Sequence, residues 1–155
     1  MCPRLDEAEI SSGGKRFALS ADDDEMKVTR TTYGGGTNGY GTVFKVTPKG
    51  RESVLYPFDG GKGAQPLAGL IADADGTFYG AASTEGPANH GVIFTLSPSG
   101  SNTVLWPFTG SPDGSSPEAD LIRDVVGRFY GTTRLGGSVD NGGTVFRLTP
   151  TGKET

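Results

Sequence analysis

The chain has 155 residues, enough for one ordinary domain with a buried core, and its 26 glycines and 10 prolines indicate many turns. A formal net charge of −4, with Lys and Arg scattered singly, argues against a nucleic-acid partner or an anionic membrane surface. One cysteine and one histidine are too few for a closed zinc site or a disulfide within the chain. No apolar run is long enough to span a membrane. From these counts and this absence we expect no metal, no cofactor and no membrane span.

The first 30 residues differ from the rest, since they are acidic and polar and match the later sequence only weakly. We predict that residues 1–30 are a divergent N-terminal cap made from a degraded repeat, or an unrelated leader. Terminal repeats of an array are often atypical, because one of their faces meets solvent. Cys2 is expected to be a free thiol without a role. No cationic start followed by an apolar stretch marks a secretion signal.

Residues 31–155 contain one eight-residue stretch three times. It reads Gly-Thr-Val-Phe-Lys-Val-Thr-Pro at 41–48, Gly-Val-Ile-Phe-Thr-Leu-Ser-Pro at 91–98 and Gly-Thr-Val-Phe-Arg-Leu-Thr-Pro at 143–150. A constant spacing of about 50 residues is the signature of a repeat architecture. We therefore assign 31–155 to a tandem β-repeat domain.

Each repeat holds four short runs of strand length. A glycine loop precedes the shared stretch, and a Val-Leu-aromatic-Pro-Phe run follows it at 54–58 and 104–108. Two further runs, ending in Phe-Tyr-Gly at 78–80 and 129–131, flank an Asp-x-x-Gly turn. These runs are rich in β-branched and aromatic residues, and none has a helical period. The pattern predicts an all-β chain of four-stranded antiparallel repeats with almost no helix.

The alternation within the shared stretch predicts how the sheets pack. Val92, Phe94 and Leu96 share one face of the strand, and Ile93 lies on the other. Two apolar faces indicate a sheet packed between two neighbouring sheets. The proline of the Val-Leu-aromatic-Pro-Phe run cannot donate to a sheet ladder, so this strand belongs at an edge.

These features favour two to three β-propeller-type blades, with a β-trefoil of three four-stranded repeats as the alternative. Propellers close with about four to eight blades, so this chain cannot close a ring alone. An open stack would expose an apolar face at each end. We therefore expect a homo-oligomer, most simply two copies that form a ring of about six blades, or a part of a longer repeat protein.

Two patterns resemble a metal site and a catalytic site. Asp73-Ala-Asp75-Gly76 resembles half of a calcium loop, but its second copy lacks the middle carboxylate, which favours a two-residue hairpin turn. His90 has only serines such as Ser83 or Ser97 as conceivable partners, without a nucleophile elbow. We therefore predict no metal-ligating and no catalytic residue at these positions.

A cluster of carboxylates lies in the loop after the second Pro-Phe pair. Asp113, Glu118 and Asp120 are close in sequence, and two facing carboxylates can hydrolyse a glycoside. The corresponding loop of the first repeat lacks the pattern, which favours solvated loop acids. A glycan-acting hydrolase is therefore only the weakest alternative.

The aromatic residues are the best functional signal. Four of them recur once per repeat, which suits sugar stacking but equally suits a core whose hydroxyl or indole N–H reaches a partner. Two more lie in the first glycine loop and are freer for contact. The candidate ligand-binding residues are Trp106, Tyr56, Tyr79, Tyr130, Tyr33 and Tyr40.

Three signatures in this order, carried by Gly143–Pro150, Val54–Phe58 and Leu121–Thr133, resemble the GloVer (Gloeobacter/Verrucomicrobia) tandem repeat over about residues 31–155. The resemblance implies a bacterial protein of many such repeats, exported or anchored at the cell surface, with a propeller fold. It brings no catalytic residue. The chain departs from the family pattern in having two to three repeats, a divergent first unit and no visible anchor or signal.

Together these observations predict a non-catalytic β-propeller repeat module for binding or surface display that associates with itself. The alternative is a carbohydrate-binding, lectin-like propeller assembled from several chains.

Overall fold

The computed structural model describes residues 18–22, 25–138 and 140–154, with side chains described from Thr29 onward, so Cys2 lies outside the described residues. The described residues form eleven β-strands and no helix. The strands are β1 (Ala18–Asp22), β2 (Glu25–Thr32), β3 (Thr42–Val46), β4 (Glu52–Pro57), β5 (Ile71–Ala72), β6 (Phe78–Ala82), β7 (Val92–Leu96), β8 (Asn102–Pro107), β9 (Ile122–Arg123), β10 (Phe129–Thr132) and β11 (Val145–Leu148). In this part of the chain, no helix has the length and apolar character that crossing a lipid bilayer requires.

The strands form three antiparallel sheets in chain order. The first sheet is β1-β2-β3-β4, the second is β5-β6-β7-β8 and the third is β9-β10-β11. The predicted all-β class is confirmed. Residues 18–32 supply the first two strands of the first sheet, whereas the division of the chain at residue 30 remains a prediction.

The two proline-containing strands lie at sheet edges, as predicted. β4 and β8 are the last strands of their sheets, and Pro57 and Pro107 pair with Thr42 and Val92. Among the described residues each of these strands pairs with one other strand, and the N–H groups of the following Phe58 and Phe108 point back to it, at Gly41 and Gly91. The nitrogen of each proline therefore lies on the unpaired side, where its missing N–H costs no ladder bond. Both pairs also shift register at the same place, between Val43 and Phe44 and at the corresponding residues of β7.

Five hairpin turns of one type connect the strands, at 47–51, 73–77, 97–101, 124–128 and 149–153. In each turn the fourth residue is a glycine with positive φ, and its N–H donates to the carbonyl of the first residue. The first residue is always Ser, Thr or Asp, and its side chain accepts the N–H four residues on, at 2.9–3.1 Å. The predicted two-residue turn at Asp73 is therefore wrong. The loop has three residues, because the positive-φ glycine forms a bulge after a type I turn.

The first two sheets bury a shared core. Its members from the first sheet are two residues of β4, Leu55 and Tyr56, together with Val43 and Phe58. The second sheet contributes Leu70, Phe78, Phe94 and Leu96, and the cluster also holds Ala72, Ala82, Val92 and Val104. The Phe58 and Phe94 rings meet edge to face, with centroids 5.3 Å apart.

The second and third sheets bury the same positions one repeat later. The second sheet contributes Ile93, Leu105, Trp106 and Phe108, and the third contributes Leu121, Phe129, Phe146 and Leu148. The cluster is completed by Ala68, Ala81, Ile71 and Tyr79. Phe108 and Phe146 again meet edge to face, at 5.1 Å. The second sheet thus packs on both faces, which confirms the prediction from its alternating residues.

The segments that connect consecutive sheets are tied to both of them. In the segment between β4 and β5, the Gln65 N–H donates to the carbonyl of Tyr40, which directly precedes the shared stretch of the first sheet, at 2.8 Å. The Ala64 N–H donates to the Thr84 carbonyl of the next sheet, also at 2.8 Å. The connector between β8 and β9 makes the equivalent pair of bonds. This repetition fixes the spacing of the sheets and brings the glycine loops close to the connectors.

Candidate functional site

Tyr56 and Trp106 occupy equivalent places on β4 and β8 and are half-buried between sheets. The Tyr56 ring packs edge to face on Phe58, with centroids 5.1 Å apart. Burial, and then the nearby Asp59 carboxylate, raise the pKa of Tyr56. The Trp106 indole packs against the second core, and its buried N–H has no hydrogen-bond partner among the described residues. Both rings therefore act first in packing one sheet on the next. We call each of the two packed cores between neighbouring sheets a joint.

Tyr79 and Tyr130 are held by the aspartates that begin their hairpin turns. The Tyr79 hydroxyl donates to Asp73 Oδ2 and the Tyr130 hydroxyl to Asp124 Oδ2, each at 3.0 Å. Burial, and then the bond to Asp73, raise the pKa of Tyr79. The centroid of the Tyr79 ring also lies 4.6 Å from the centroid of the Phe129 ring. These hydroxyls already have partners, so each tyrosine links a strand to its turn.

Asp73 and Asp124 direct their carboxylates at the backbone of their own turns. Oδ1 of Asp73 accepts the N–H groups of Asp75 and Thr77, at 3.1 and 2.9 Å. Asp124 makes the same two bonds one repeat later. Within the described ranges, no group of three or more His, Cys, Asp or Glu side chains is placed to hold a metal ion. The half calcium loop of the sequence is thus a hairpin turn closed by its aspartate.

Among the carboxyl groups of the described residues, Asp124 has the largest shift in pKa. Burial alone would raise its pKa, but the Arg128 backbone N–H and guanidinium outweigh that effect. The Tyr130 hydroxyl and the Val126 N–H add to the stabilisation of the carboxylate, and the pKa falls to about 2. The ion pair with Arg128 spans 2.8 Å on the surface. Because each of these partners belongs to the turn or to β10, the shift reports structural bonding rather than a reactive group.

The three loop carboxylates are held by different partners. Asp113 accepts the N–H and the hydroxyl of Thr109, the latter at 2.8 Å. Glu118 forms an ion pair of 3.4 Å with Arg134. Asp120 accepts the N–H of Gly69 at 2.6 Å and so joins the second connector to the first. Each carboxylate therefore has a local structural role.

His90 lies beside Ser115, a partner that the sequence did not suggest. Its Nδ1 is 3.1 Å from the Ser115 hydroxyl oxygen, and its ring lies against Gly110. The hydroxyls of Ser83 and Ser97 bond instead to the Gln65 carbonyl and to the Ser99 hydroxyl. His90 and Tyr40 are equivalent, since each directly precedes the first glycine of a shared stretch. The Tyr40 ring lies beside Gly60 as the His90 ring lies beside Gly110, so this equivalence was the sequence signal that His90 packs on the following connector.

Tyr33 and Tyr40 are the candidate residues that the fold leaves open. Their side chains are 54% and 37% exposed, and they stand at the two ends of the first glycine loop. Asn38 in this loop donates to the Phe58 carbonyl at 3.3 Å, which ties the loop to the end of β4. An exposed aromatic pair on a polar loop can provide stacking faces and hydrogen bonds to a ligand.

Comparison with curated proteins gives no match for this chain. The Gloeobacter/Verrucomicrobia repeat model, in contrast, matches residues 17–155, which include all three copies of the shared stretch and every strand of the three sheets. The chain therefore belongs to the Gloeobacter/Verrucomicrobia repeat family.

Proposed function

We propose that the chain is a non-catalytic, propeller-type repeat module that associates with itself through its two end faces and presents its loops for binding or surface display. The propeller arrangement is supported by three sheets that follow chain order and stack through equivalent faces, the first two of which end at a proline-containing strand. A β-propeller likewise repeats small antiparallel sheets, typically four-stranded, around a central axis.

The exposure of three equivalent residues carries the proposal. Val43, Ile93 and Val145 occupy the same position in β3, β7 and β11. The first two are 0% exposed, because another sheet covers them, whereas Val145 is 83% exposed. At the opposite end Val54 is 54% exposed, although its equivalent Val104 packs into the first core. Each end of the stack therefore presents a face that the interior of the same molecule buries.

Two such ends fit each other, because the joints inside the chain already pair these faces. The face with Val145 corresponds to the one that the second sheet turns toward the third. The face with Val54 corresponds to the one that the second sheet turns toward the first. Two copies would supply six sheets, from three per chain, which is within the range that closes a ring.

Light scattering over a range of protein concentrations tests the proposal. We expect a mass of twice the 16.0 kDa of one chain. Val145→Lys should yield the monomer, because it places a charge in the joint. Val125→Lys is the matched control, since Val125 is fully exposed in a hairpin turn outside the face, and it should leave the dimer intact. A wild-type monomer at every concentration would contradict self-association.

Carbohydrate binding is the second candidate, supported by the exposure of Tyr33 and Tyr40. Substitution of Tyr56, Trp106, Tyr79 or Tyr130 would also disturb packing or turns, so these four residues test the proposal poorly. A glycan array probed with wild type, Tyr33→Ala and Tyr40→Ala should show binding that one or both variants lose. Equal glycan binding by wild type and by both loop variants would rule out Tyr33 and Tyr40 as the residues that stack on a sugar. In the described part of the chain the loop carboxylates Asp113, Glu118 and Asp120 bond to Thr109, Arg134 and Gly69, which does not favour the hydrolase alternative.

A further inference from the structure

Three loops meet at Gly60, in the connector between the first and second sheets. The carbonyl of Gly60 accepts the N–H of Gly86, at 2.9 Å, from the second glycine loop, which precedes β7. The carbonyl of Tyr40, at the end of the first glycine loop, accepts the N–H of Gln65 from the same connector. A Cβ built at Gly60 would lie 3.6 Å from Cε2 of Tyr40 and 4.0 Å from Cγ of Glu85. The aromatic ring and the acidic side chain therefore approach one point, beside a residue that has no side chain.

Glu85 occupies a position at which the other two glycine loops have glycine. The carbonyls of Gly35, Glu85 and Gly136 each accept the N–H of the first glycine of a shared stretch, at 3.0 Å. All three residues have positive φ, of 87°, 58° and 80°. This conformation is unfavourable for a residue with a Cβ but not for glycine. Position 85 thus carries a carboxylate although glycine suits the backbone there, and such an outlier motivates a functional hypothesis for the side chain.

The Glu85 side chain is partly exposed, and its carboxylate makes no hydrogen bond or ion pair with the described residues. The Tyr40 ring beside it is 37% exposed. At the equivalent place on the second connector, the His90 ring lies against Gly110, and a Cβ at Gly136 would meet the Gly110 carbonyl. That place therefore has no room for a side chain like that of Glu85. Of the two connectors, the first alone combines an aromatic ring with a carboxylate at this point.

We propose that Tyr40 and Glu85 form a binding site for a glycan that carries a protonated amino group. A carboxylate attracts cations, and so does the face of an aromatic ring. A sugar ring with an ammonium substituent can stack on Tyr40 and pair its positive charge with Glu85. An uncharged sugar offers the carboxylate only hydroxyl groups, which form weaker hydrogen bonds than an ammonium group does. The assignment of Glu85 rests on the proposed carbohydrate binding, to which it adds the class of sugar.

Two labelled tetrasaccharides, a glucosamine tetramer and its fully N-acetylated form, test the assignment by fluorescence anisotropy with the full-length chain. The assay is run at about pH 6, where carboxylates are in general ionised and amines protonated. We expect saturable binding of the amino tetramer and weaker binding of the acetylated one, and added salt should reduce the difference. Glu85→Gln should weaken binding of the amino tetramer about fivefold, as expected for the loss of a partly exposed ion pair. It should leave binding of the acetylated tetramer unchanged.

Glu85→Gly separates the carboxylate from the backbone conformation that it occupies. This variant should lose affinity for the amino tetramer as Glu85→Gln does, while its melting temperature stays unchanged or rises, because glycine relieves the positive φ. Asn89→Gly is the matched control, since Asn89 is exposed in the same loop and also has positive φ, of 59°, and it should bind like wild type. Tyr40→Ala should weaken binding of both tetramers, because it removes the stacking face.

The outcomes separate this site from carbohydrate binding in general. Equal affinity of wild type for the two tetramers, or unchanged binding of the amino tetramer in Glu85→Gln, would overturn the role of Glu85 and leave the carbohydrate-binding candidate standing. Failure of wild type to bind either tetramer would also overturn it. An empty glycan array in addition would remove the carbohydrate-binding candidate itself.

Discussion

Replacement of the same residue at two equivalent positions separates burial between sheets from the intrinsic preference of a strand. Val43 and Val145 occupy the same place in β3 and β11 and are 0% and 83% exposed. Val43→Ala and Val145→Ala make the same change in intrinsic β-propensity. The difference between their effects on the free energy of unfolding therefore isolates the packing of one sheet on the next.

The expected magnitude follows from the atoms removed. Each substitution deletes two methyl groups, and at about 0.8 kcal/mol per buried carbon Val43→Ala loses about 1.6 kcal/mol of transfer free energy. The unfilled cavity adds to this loss, which brings the total to about 2–3 kcal/mol. For a chain of this size the melting temperature should fall by roughly 4–12 °C. Val145→Ala should change the free energy of unfolding by no more than about 0.5 kcal/mol.

Urea unfolding followed by the fluorescence of Trp106, the only tryptophan, measures both variants. The protein concentration must be one at which light scattering shows a monomer, because association would also cover Val145. Equal losses in the two monomeric variants would refute the reasoning, since they would mean that the second sheet does not cover Val43.

Two further predictions concern a close contact and a turn. An alanine Cβ at Gly131 would lie 2.5 Å from Cζ of Phe146, so Gly131→Ala should destabilise the fold by about 1–3 kcal/mol. At Gly61 the nearest atom would be 3.6 Å away, so Gly61→Ala is the control, and thermal unfolding that is unchanged in both variants would show that the predicted clash does not occur. The pKa of Asp124 is lowered from 3.8 to about 2 in the folded chain, so its carboxylate stabilises the fold above pH 3.8, and this contribution disappears as the pH falls toward 2. Asp124→Asn should therefore show a shallower loss of stability across that interval in urea unfolding at a series of pH values, and a slope identical to that of wild type would argue against the role of the carboxylate.

The stacking of sheets could be predicted because it depends on a period of two within a strand. The alternation predicts Val92, Phe94 and Leu96 on one face and Ile93 on the other, and the first core contains the three whereas the second contains Ile93. The prolines similarly revealed the edges, because their chemistry permits few other places in a sheet.

The grouping of strands into sheets could not be predicted from the repeat alone. The order of the runs within each repeat places the shared stretch before the other three, but β3 and β7, which it forms, are the third strands of their sheets. A periodic sequence shows the length of the repeat without showing where one sheet ends and the next begins. Residues 18–32 match the later repeats only weakly, so the sequence did not predict that they form the two strands that complete the first sheet.

Side-chain partners across loops were the least predictable part of the candidate site. His90 and Ser115 meet because the second connector is bound to the glycine loop that precedes β7. That connector has one residue more than the first, and although the sequences of the two connectors align Ser115 with Ala64, the alignment does not show that the hydroxyl meets the imidazole. The hydroxyls of Tyr79 and Tyr130 followed the general expectation for half-buried tyrosines, but their acceptors depended on the conformation of the turns.

The central claim is that one joint between sheets is built twice from equivalent residues, and NMR with selectively labelled phenylalanine tests it most directly. The chain has 8 phenylalanines, and two ring pairs bridge neighbouring sheets with centroids 5.3 and 5.1 Å apart. The account predicts nuclear Overhauser cross-peaks between Phe58 and Phe94 and between Phe108 and Phe146. Absence of both cross-peaks, or cross-peaks for only one pair in a folded sample, would contradict it.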